Sequence, residues 1–353
     1  MKIKLVNKIF EKIKELTAHK KIDSINCEVS RNCNLSCIQC ANHSIYTEPP
    51  RGKFLLTPEI FSKLTPILPS VRVINFDNHG EPLLNPGLEE FIRIAKSVAP
   101  KIKTSFTTNF QFMSFERSTK LLESGLDIIQ VSISGISEET YKKIMINGDF
   151  SKFVKNLEDF RLVLEDTKNK LFEFSACVTA MRSNINELPL IPEFIRKYGV
   201  TRLRINSVLP FSLEMLKESL LEKDEFIRHS KSIYEETIRN AKKLGITATC
   251  VLTPDVSTFE ADSICNYPIK NFSVSYNGDV CPCWMLDIPN GYNCYVRGKT
   301  YKIPYVKFGN INDENIFNIL NRSGFFTSGE QLIRGNLPEF CSNCPVGKHL
   351  TCG

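Results

Sequence analysis

The stretch Cys33-Asn34-Leu35-Ser36-Cys37-Ile38-Gln39-Cys40 carries three thiols and follows a strand-like run, Ser24–Ser30. Three cysteine ligands would leave one iron of a four-iron cluster without a protein ligand, and a small molecule can chelate such an open iron. A structural zinc site is the alternative, although zinc sites generally close all four positions. Because no second cysteine pair follows nearby, the triplet favours the open cluster.

Composition sets the limits of the interpretation. The 353 residues are 42% hydrophobic and 24% charged, which is typical of a soluble globular protein large enough for a barrel and a smaller domain. A net charge of +6, with scattered lysines, does not indicate nucleic-acid binding. Thirteen cysteines without a secretory signal favour a reducing, cytoplasmic location and metal ligation. Residues 1–21 read as an amphipathic helix docked on the barrel, with membrane-surface contact as the disfavoured alternative.

Strand and helix candidates alternate along the first two thirds of the chain, and this alternation predicts a parallel sheet. The strand candidates are Ser24–Ser30, Val71–Asp77, Lys103–Asn109, Ile128–Ser134, Leu171–Ala180 and Thr201–Leu209. The helix candidates are Pro58–Leu68, Pro86–Ala99, Ser114–Ser124, Glu138–Met145, Phe153–Asp166, Glu187–Tyr198 and Lys223–Leu244.

Each strand candidate has one polar and one apolar face, whereas a parallel strand buried on both faces should be apolar throughout. Burying so many polar groups without partners would cost roughly 1–3 kcal/mol each. We therefore expect the polar faces to line a wet or ligand-filled lumen. An antiparallel sheet facing water would show the same alternation, but the intervening helices favour the parallel arrangement. The polar positions are Asn26, Glu28, Ser30, Asn75, Asp77, Ser105, Thr107, Asn109, Gln130, Ser132, Ser134, Ser175, Cys177, Thr179, Arg202, Arg204 and Asn206.

CxxxCxxC after a strand is the signature of the radical S-adenosylmethionine (SAM) enzymes, and this chain resembles them over about residues 23–353. The resemblance implies an α/β fold, a partial (β/α)6 TIM-like barrel over 23–245, after an N-terminal helical extension over 1–22. It implies a SAM-binding 4Fe-4S cluster on Cys33, Cys37 and Cys40, which cleaves SAM to a 5′-deoxyadenosyl radical. It also implies a reducing partner such as flavodoxin or ferredoxin. Gln39 stands where the family usually has an aromatic residue.

Further motifs resemble the way in which the family holds SAM. Asn78-His79-Gly80-Glu81-Pro82 resembles the GGEP motif, with His79 in place of a glycine. The next two strands end where the family often carries TNG and SIDG, and Ser134 replaces the acidic residue of SIDG. An ordinary turn, or a solvated arginine in the case of Arg182, is the alternative in each case. The residues that the resemblance assigns to SAM are Gly80, Glu81, Pro82, Thr107, Asn109, Ser132, Ser134 and Arg182.

The C-terminal third carries a second cysteine pattern, Cys-x12-Gly-x4-Cys followed by CxxC, around a predicted strand–turn–strand hairpin over residues 272–280. It resembles the SPASM/Twitch iron–sulfur domains, which implies a domain over 246–353. The resemblance assigns one auxiliary 4Fe-4S cluster to Cys265, Cys283, Cys341 and Cys344, with a zinc ribbon as the alternative. Cys281 could replace Cys283, and Cys294 and Cys352 have no assigned role.

The resemblance implies hydrogen abstraction from a polar substrate and its oxidation, with the auxiliary cluster accepting an electron. The short segment before the first strand and the polar lumen favour a sugar-like or aminocyclitol-like small molecule over a peptide. A cross-linking or epimerising peptide maturase is the alternative, and a zinc-stabilised binding module or electron carrier is the non-enzymatic one. Catalytic candidates are Glu28, Asp77, Arg202 and Arg204 as acids or bases, unless they form ion pairs, and Cys177 as a hydrogen-atom donor, unless it is a core residue.

Overall fold

The computed structural model describes residues 22–45, 53–167, 171–251, 265, 267–325 and 338–345. The helical extension predicted over 1–22 lies outside these ranges except for Ile22, which begins the first strand. Within the described ranges, no helix combines the length and apolarity needed to cross a bilayer.

The predicted parallel sheet is confirmed. Each strand pairs in parallel with the next one along the chain, so the six strands lie side by side in sequence order. Most of them end two or three residues earlier than predicted, and in the first four runs this places the last polar residue in the loop after the strand. The six are β1 (Ile22–Cys27), β2 (Val71–Asn75), β3 (Lys103–Thr108), β4 (Ile128–Ser132), β5 (Glu173–Ala180) and β6 (Arg202–Ser207).

Within the described ranges, two further strands extend the sheet to eight parallel strands. β7 (Thr247–Val251) pairs with β6, and β8 (Asn271–Val274) pairs with β1, with Asn26 opposite Ser273. The sheet therefore continues across the expected domain boundary between residues 245 and 246, which stays a prediction. Beyond β8, the predicted hairpin is present, because β9 (Asp279–Cys281) runs antiparallel to β8. β12 (Gly309–Asn310) pairs with β9, and β10 (Tyr292–Val296) and β11 (Lys299–Ile303) form a separate hairpin.

The helices follow the predicted order, with local differences where prolines interrupt them. The segment predicted as one helix from Pro58 changes to a 3-10 turn at Thr65–Ser70, and the one from Glu187 begins with a 3-10 turn, Ile185–Leu190. The α-helices are α1 (Ala41–Ile45), α2 (Pro58–Leu64), α3 (Leu88–Val98), α4 (Phe115–Glu123), α5 (Glu138–Ile144), α6 (Phe150–Asp166), α7 (Ile191–Arg196), α8 (Leu213–Leu216), α9 (Asp224–Lys243), α10 (Tyr267–Lys270) and α11 (Ile316–Arg322). Short 3-10 turns also span Pro82–Leu84, Trp284–Leu286 and Glu339–Cys341.

The two faces of the barrel strands differ as the sequence pattern predicts. The apolar positions, such as Ile25, Ile74 and Ile129, are fully buried in the hydrophobic core. Polar side chains on the other face bond across the strands: Asn75 Nδ2 donates to Asn26 Oδ1 at 3.0 Å, and Ser105 donates to Asn75. This polar ladder therefore satisfies part of its own hydrogen-bonding capacity.

Replacing Phe272 tests the shared sheet. Its side chain is fully buried on β8 and its ring lies 5.7 Å from that of Phe325. We expect Phe272→Ala to lower the free energy of unfolding by about 3–5 kcal/mol, measured by chemical denaturation. The control Phe115→Ala, at a residue 50% exposed on α4, should change it by less than about 0.5 kcal/mol. Since β8 is part of the barrel sheet, the loss should affect one common transition; a separate early transition of the C-terminal segment would contradict this fold.

Candidate functional site

The cysteine loop, residues 28–40, follows β1 at the carboxyl edge of the parallel sheet, the edge at which barrel ligands bind. Its first half is fixed by main-chain hydrogen bonds, from Leu56 N to Val29 O at 2.9 Å and from Arg31 N to Phe54 O at 2.9 Å. Its second half is fixed to the end of α5, where Ile38 N donates to Ile144 O at 3.1 Å. The loop is therefore held at several points along its length.

The three thiols of this loop lie close enough to influence one another. Burial raises the pKa of Cys37 well above its usual value, and the neighbouring sulfurs of Cys40 and Cys33 raise it further. Among the described residues, no three metal-binding side chains are grouped tightly enough for a single ion.

Gly80 joins the turn after β2 to the cysteine loop. A Cβ atom at this position would lie 2.7 Å from Asn32 O and closer still to Ser30 O. Beside it, Glu81 N donates to Asn32 O at 2.8 Å. The turn therefore lies directly on the main chain that leads into Cys33, and only a residue without a side chain fits.

The Glu81 carboxylate, expected to receive SAM, is already bound to the protein. It accepts hydrogen bonds from Thr108 Oγ1 at 2.6 Å, Asn109 N at 2.9 Å and Leu83 N at 3.1 Å. Burial raises the pKa of Glu81 to about 7. A carboxylate has about four acceptor positions, so roughly one is left for a ligand. Glu81 thus connects the ends of β2 and β3 and keeps capacity for one further donor.

The ends of β3 and β4 bring the next assigned residues to the same edge. Asn109 Nδ2 donates to Asn34 Oδ1 at 2.9 Å and lies 3.9 Å from Cys33 Sγ, so Asn109 reaches the cysteine loop. Thr107 N donates to Asp77 Oδ2 at 2.5 Å, and burial raises the pKa of Asp77.

On the neighbouring strands, Ser132 Oγ lies 3.7 Å from Cys177 Sγ. Burial raises the pKa of Cys177 to about 11, so its thiol stays protonated at neutral pH.

Gln39 and Ser134 are both departures from the family pattern, and they bond to each other. Gln39 Nε2 donates to Ser134 Oγ at 2.9 Å, across 95 positions of sequence. This contact ties the residue before Cys40 to the loop after β4. The hydrogen bond explains why position 39 carries an amide and position 134 a hydroxyl.

Three candidates are engaged elsewhere. Glu28 forms a buried ion pair with Arg31, whose Nε lies 2.9 and 3.0 Å from the two Glu28 oxygens. An ion pair is the alternative role that the sequence indicates for Glu28. Arg182 stacks on Phe226, with its guanidinium carbon 3.8 Å from the ring centroid. Arg202 is 59% exposed and pairs with Glu173 at 3.1 Å. Arg182 and Arg202 are not directed towards the cysteine loop by these contacts, and the Glu28 carboxylate, which lies in that loop, is occupied by Arg31.

The C-terminal thiols form a second group. Burial raises the pKa of Cys283 well above its usual value, and the nearby sulfurs of Cys344, Cys341 and Cys265 raise it further. Burial raises the pKa of Cys281, and the nearby Asp287 and Asp279 carboxylates raise it further. No cysteine is among the main causes of this pKa shift. The grouping thus supports Cys283 rather than Cys281 as the ligand. Cys294 lies near Cys344, and Cys352 is outside the described residues.

Sequence reasoning missed Asp287, which lies under the turn after β2. His79 Nε2 lies 2.5 Å from Asp287 Oδ1 and 3.1 Å from Trp284 O, and Asn78 Nδ2 also donates to Asp287. The available signal was His79, a bulky polar residue in place of a glycine. Its partner is 208 positions away, which no local pattern reveals.

Family models match both parts of the chain. Residues 27–172 match the radical SAM superfamily, and residues 265–345 match SPASM, an iron–sulfur cluster-binding domain. The two matches contain the two thiol groups described above.

Proteins with similar sequences cover most of this chain. A probable GTP 3′,8-cyclase of Methanococcus maripaludis is 27% identical over 76% of this chain and 87% of its own length. A cofactor-modifying protein for the tungsten-containing aldehyde ferredoxin oxidoreductase of Pyrococcus furiosus is 21% identical over 90% of this chain and 86% of its own.

Solved structures show the same fold. Streptococcus suis SuiB bound to S-adenosylmethionine has a TM-score of 0.64 at 14% identity, over 90% of this chain and 70% of SuiB. The structure of anSMEcpe with bound AdoMet has a TM-score of 0.60 at 17% identity, over 92% of this chain and 88% of anSMEcpe. The partial-barrel fold predicted from the sequence is thereby confirmed.

Gly80→Ala tests the close contact between the turn and the cysteine loop. The added methyl group must displace main-chain atoms, so we expect the free energy of unfolding to fall by about 1–3 kcal/mol and iron bound at the first site to decrease. The control is Gly87→Ala, because the nearest atom to its new Cβ would be Asn85 Oδ1 at 3.2 Å, on a side chain. Thermal melting and iron analysis after anaerobic reconstitution measure both. Wild-type stability and iron content in Gly80→Ala would show that the contact is not required.

Proposed function

Because this chain is a radical SAM enzyme with an appended SPASM iron–sulfur domain, we propose that it oxidises a polar small molecule. The observation that carries the proposal is the unequal division of the thiols in the described part of the chain, where Cys37 is influenced by two other cysteines and Cys283 by three. Three ligands leave a coordination position for SAM. Four ligands close the auxiliary cluster, which suits it to electron transfer rather than to substrate binding.

The residues at each site have the chemistry needed to hold the two clusters and SAM. Cys33, Cys37 and Cys40 would hold the first cluster, and Cys265, Cys283, Cys341 and Cys344 the single auxiliary cluster. With both clusters and SAM bound, the site would supply a 5′-deoxyadenosyl radical and a one-electron acceptor. Around SAM, the remaining acceptor position of Glu81 would take one N–H of the amino group, and the side chains at the ends of β3 and β4 would orient the rest. A flavodoxin or ferredoxin would provide the reducing electron.

Asp77 is the residue that we assign to the substrate proton. The Thr107 N–H fixes one of its oxygens, and burial raises the pKa of its carboxyl group. A raised pKa makes a carboxylate a more effective base near neutral pH. The substrate would lose a hydrogen atom, then a proton to Asp77 and an electron to the auxiliary site. Together these amount to a two-electron oxidation, such as that of an alcohol to a ketone.

A small polar substrate is supported by two observations. The strand face opposite the helices carries a continuous polar ladder from Asn26 through Asn75 to Ser105. The relatives found by sequence are named for GTP and for a metalloenzyme cofactor, both small molecules. Peptide maturation is the alternative substrate class; SuiB has been solved with its precursor peptide, but the 14% identity to SuiB concerns the fold alone.

Epimerisation is a second candidate, and Cys177 is the observation that favours it. Its thiol is protonated, lies on the polar face of β5 and contacts Ser132 Oγ at 3.7 Å. Such a thiol could return a hydrogen atom to a substrate radical, and the thiyl radical left on Cys177 would then take an electron from the auxiliary site, supplied by the reducing partner, and a proton from solvent. Turnover in D2O separates the two reactions, since epimerisation through Cys177 places one solvent deuterium on the substrate carbon and oxidation places none.

Two cysteine variants test the proposal, because they should have opposite effects on SAM cleavage. Wild-type protein reconstituted anaerobically should bind about eight iron atoms, four for each cluster, and release 5′-deoxyadenosine from SAM with dithionite. Cys37→Ala should keep about four iron atoms and lose cleavage, whereas Cys344→Ala should keep about four and retain cleavage. Cys250→Ser, at a partly buried thiol outside both groups, is the matched control and should behave as wild type.

Zinc in place of iron, or no 5′-deoxyadenosine from the wild type, would overturn the proposal. If Cys344→Ala lost no iron, the assignment of the auxiliary ligands would be wrong. If it lost iron but oxidised the substrate at the wild-type rate, the auxiliary cluster would have no role in electron transfer.

A further inference from the structure

A buried group of ionisable side chains joins the SAM-side loops to the C-terminal segment. Its members are Glu28 and Arg31 at the start of the cysteine loop, His79 in the turn after β2, and Asp287 in the segment after Cys283. The exposed fractions of these side chains are 0% for Glu28 and Asp287, 5% for His79 and 6% for Arg31. Such groups are stable without water only when each finds partners.

Asp287 is the member that bonds to the turn. Its Oδ1 lies 2.5 Å from His79 Nε2 and 3.8 Å from Arg31 Nη2, and its Oδ2 accepts from Asn78 Nδ2. Trp284 O also lies 3.1 Å from His79 Nε2. Since both neighbours of Nε2 are acceptors, this nitrogen carries the hydrogen. The contact therefore holds whether the imidazole ring is neutral or charged.

The same turn carries the residues assigned to SAM. Gly80 follows His79 directly and lies so close to the main chain of residues 30–32 that no side chain would fit there. The next residue, Glu81, donates its N–H to Asn32 O at 2.8 Å. A shift of residues 78 and 79 would thus move both. The groups that hold 78 and 79 in place belong to Trp284 and Asp287, which follow the auxiliary ligand Cys283.

We propose that Asp287 is a positioning residue through which the C-terminal segment completes the SAM-binding turn. The inference rests on the function proposed above. It adds that SAM affinity depends on a side chain outside the radical SAM domain, through Asn78 and His79. Because linkage is reciprocal, SAM binding should also stabilise the segment around residues 284–287.

The affinity for SAM tests this directly. In anaerobically reconstituted protein, Asp287→Ala should raise the Kd for SAM about tenfold, within the usual range for coupled sites, as measured by equilibrium dialysis with labelled SAM. His79→Phe should do the same, whereas His79→Gln should retain near-wild-type affinity because its amide N–H can take the place of Nε2–H. Iron content is measured in every sample, so that a change in affinity is not a loss of cluster.

Asp127→Asn is the matched control. Asp127 also accepts hydrogen bonds from Lys96, Lys103 at 2.9 Å and Thr104 N at 2.9 Å, but at the amino-terminal ends of β3 and β4, the opposite edge of the sheet. Losing these bonds should lower stability without changing the Kd for SAM. This control separates positioning from a general loss of stability.

Hydrogen exchange provides the reciprocal readout. SAM should slow amide exchange over residues 284–287 in the wild type and leave it unchanged in Asp287→Ala. An unchanged Kd in Asp287→Ala, or equal increases in Asp287→Ala and Asp127→Asn, would overturn the inference and leave the proposed function standing. Failure of the wild type to bind SAM would instead overturn the proposed function.

Discussion

The main-chain contact at Gly80 is the constraint on which the site depends. The turn after β2 lies so close to residues 30–32 that no side chain fits between them. This contact fixes the entry to the cysteine loop relative to the SAM-side turn. The Glu81 carboxylate then binds the end of β3, so the first three strand ends form one connected structure. The open coordination position and the groups expected around SAM are thus set by the same short segment.

Where the chain departs from the family pattern, the unusual residues have specific partners. Gln39, in place of an aromatic residue, donates to Ser134, which replaces an acidic one. His79, in place of a glycine, donates to Asp287 from the C-terminal segment. A buried polar group without a partner is destabilising. These contacts pair the Gln39 amide N–H and the His79 ring N–H, whereas Gln39 Oε1 is buried without a hydrogen-bond partner. The departures therefore mark local rearrangements of the site rather than loss of it.

Much of the fold could be predicted from local patterns. The polar–apolar alternation in runs such as Ile128–Ser134 predicted both the strands and the face that carries polar groups. β8 was expected only as part of a C-terminal hairpin, since its pairing with β1 joins segments about 250 residues apart. The helix expected from Pro86 begins at Leu88, because the Asn85 side chain bonds to Val29 O and Leu56 O and holds the chain in a turn.

The site was predictable to the extent that it depends on spacing. The two cysteine patterns identified the domains that the family models match. Spacing could not choose between Cys281 and Cys283, because the choice depends on which thiol lies near Cys265, Cys341 and Cys344 in the folded chain. Nor could it show that Glu28 is held by Arg31 or that Asp287 supports the turn, since these are contacts of tertiary structure.

Electron paramagnetic resonance of the reduced Cys344→Ala protein, recorded with and without SAM, tests the central claim most directly. This variant should hold only the cluster bound by Cys33, Cys37 and Cys40, so its spectrum reports on that cluster alone. If SAM chelates the open iron, saturating SAM will change the spectrum of the reduced cluster. A reduced-cluster spectrum that stays the same at saturating SAM would contradict the account.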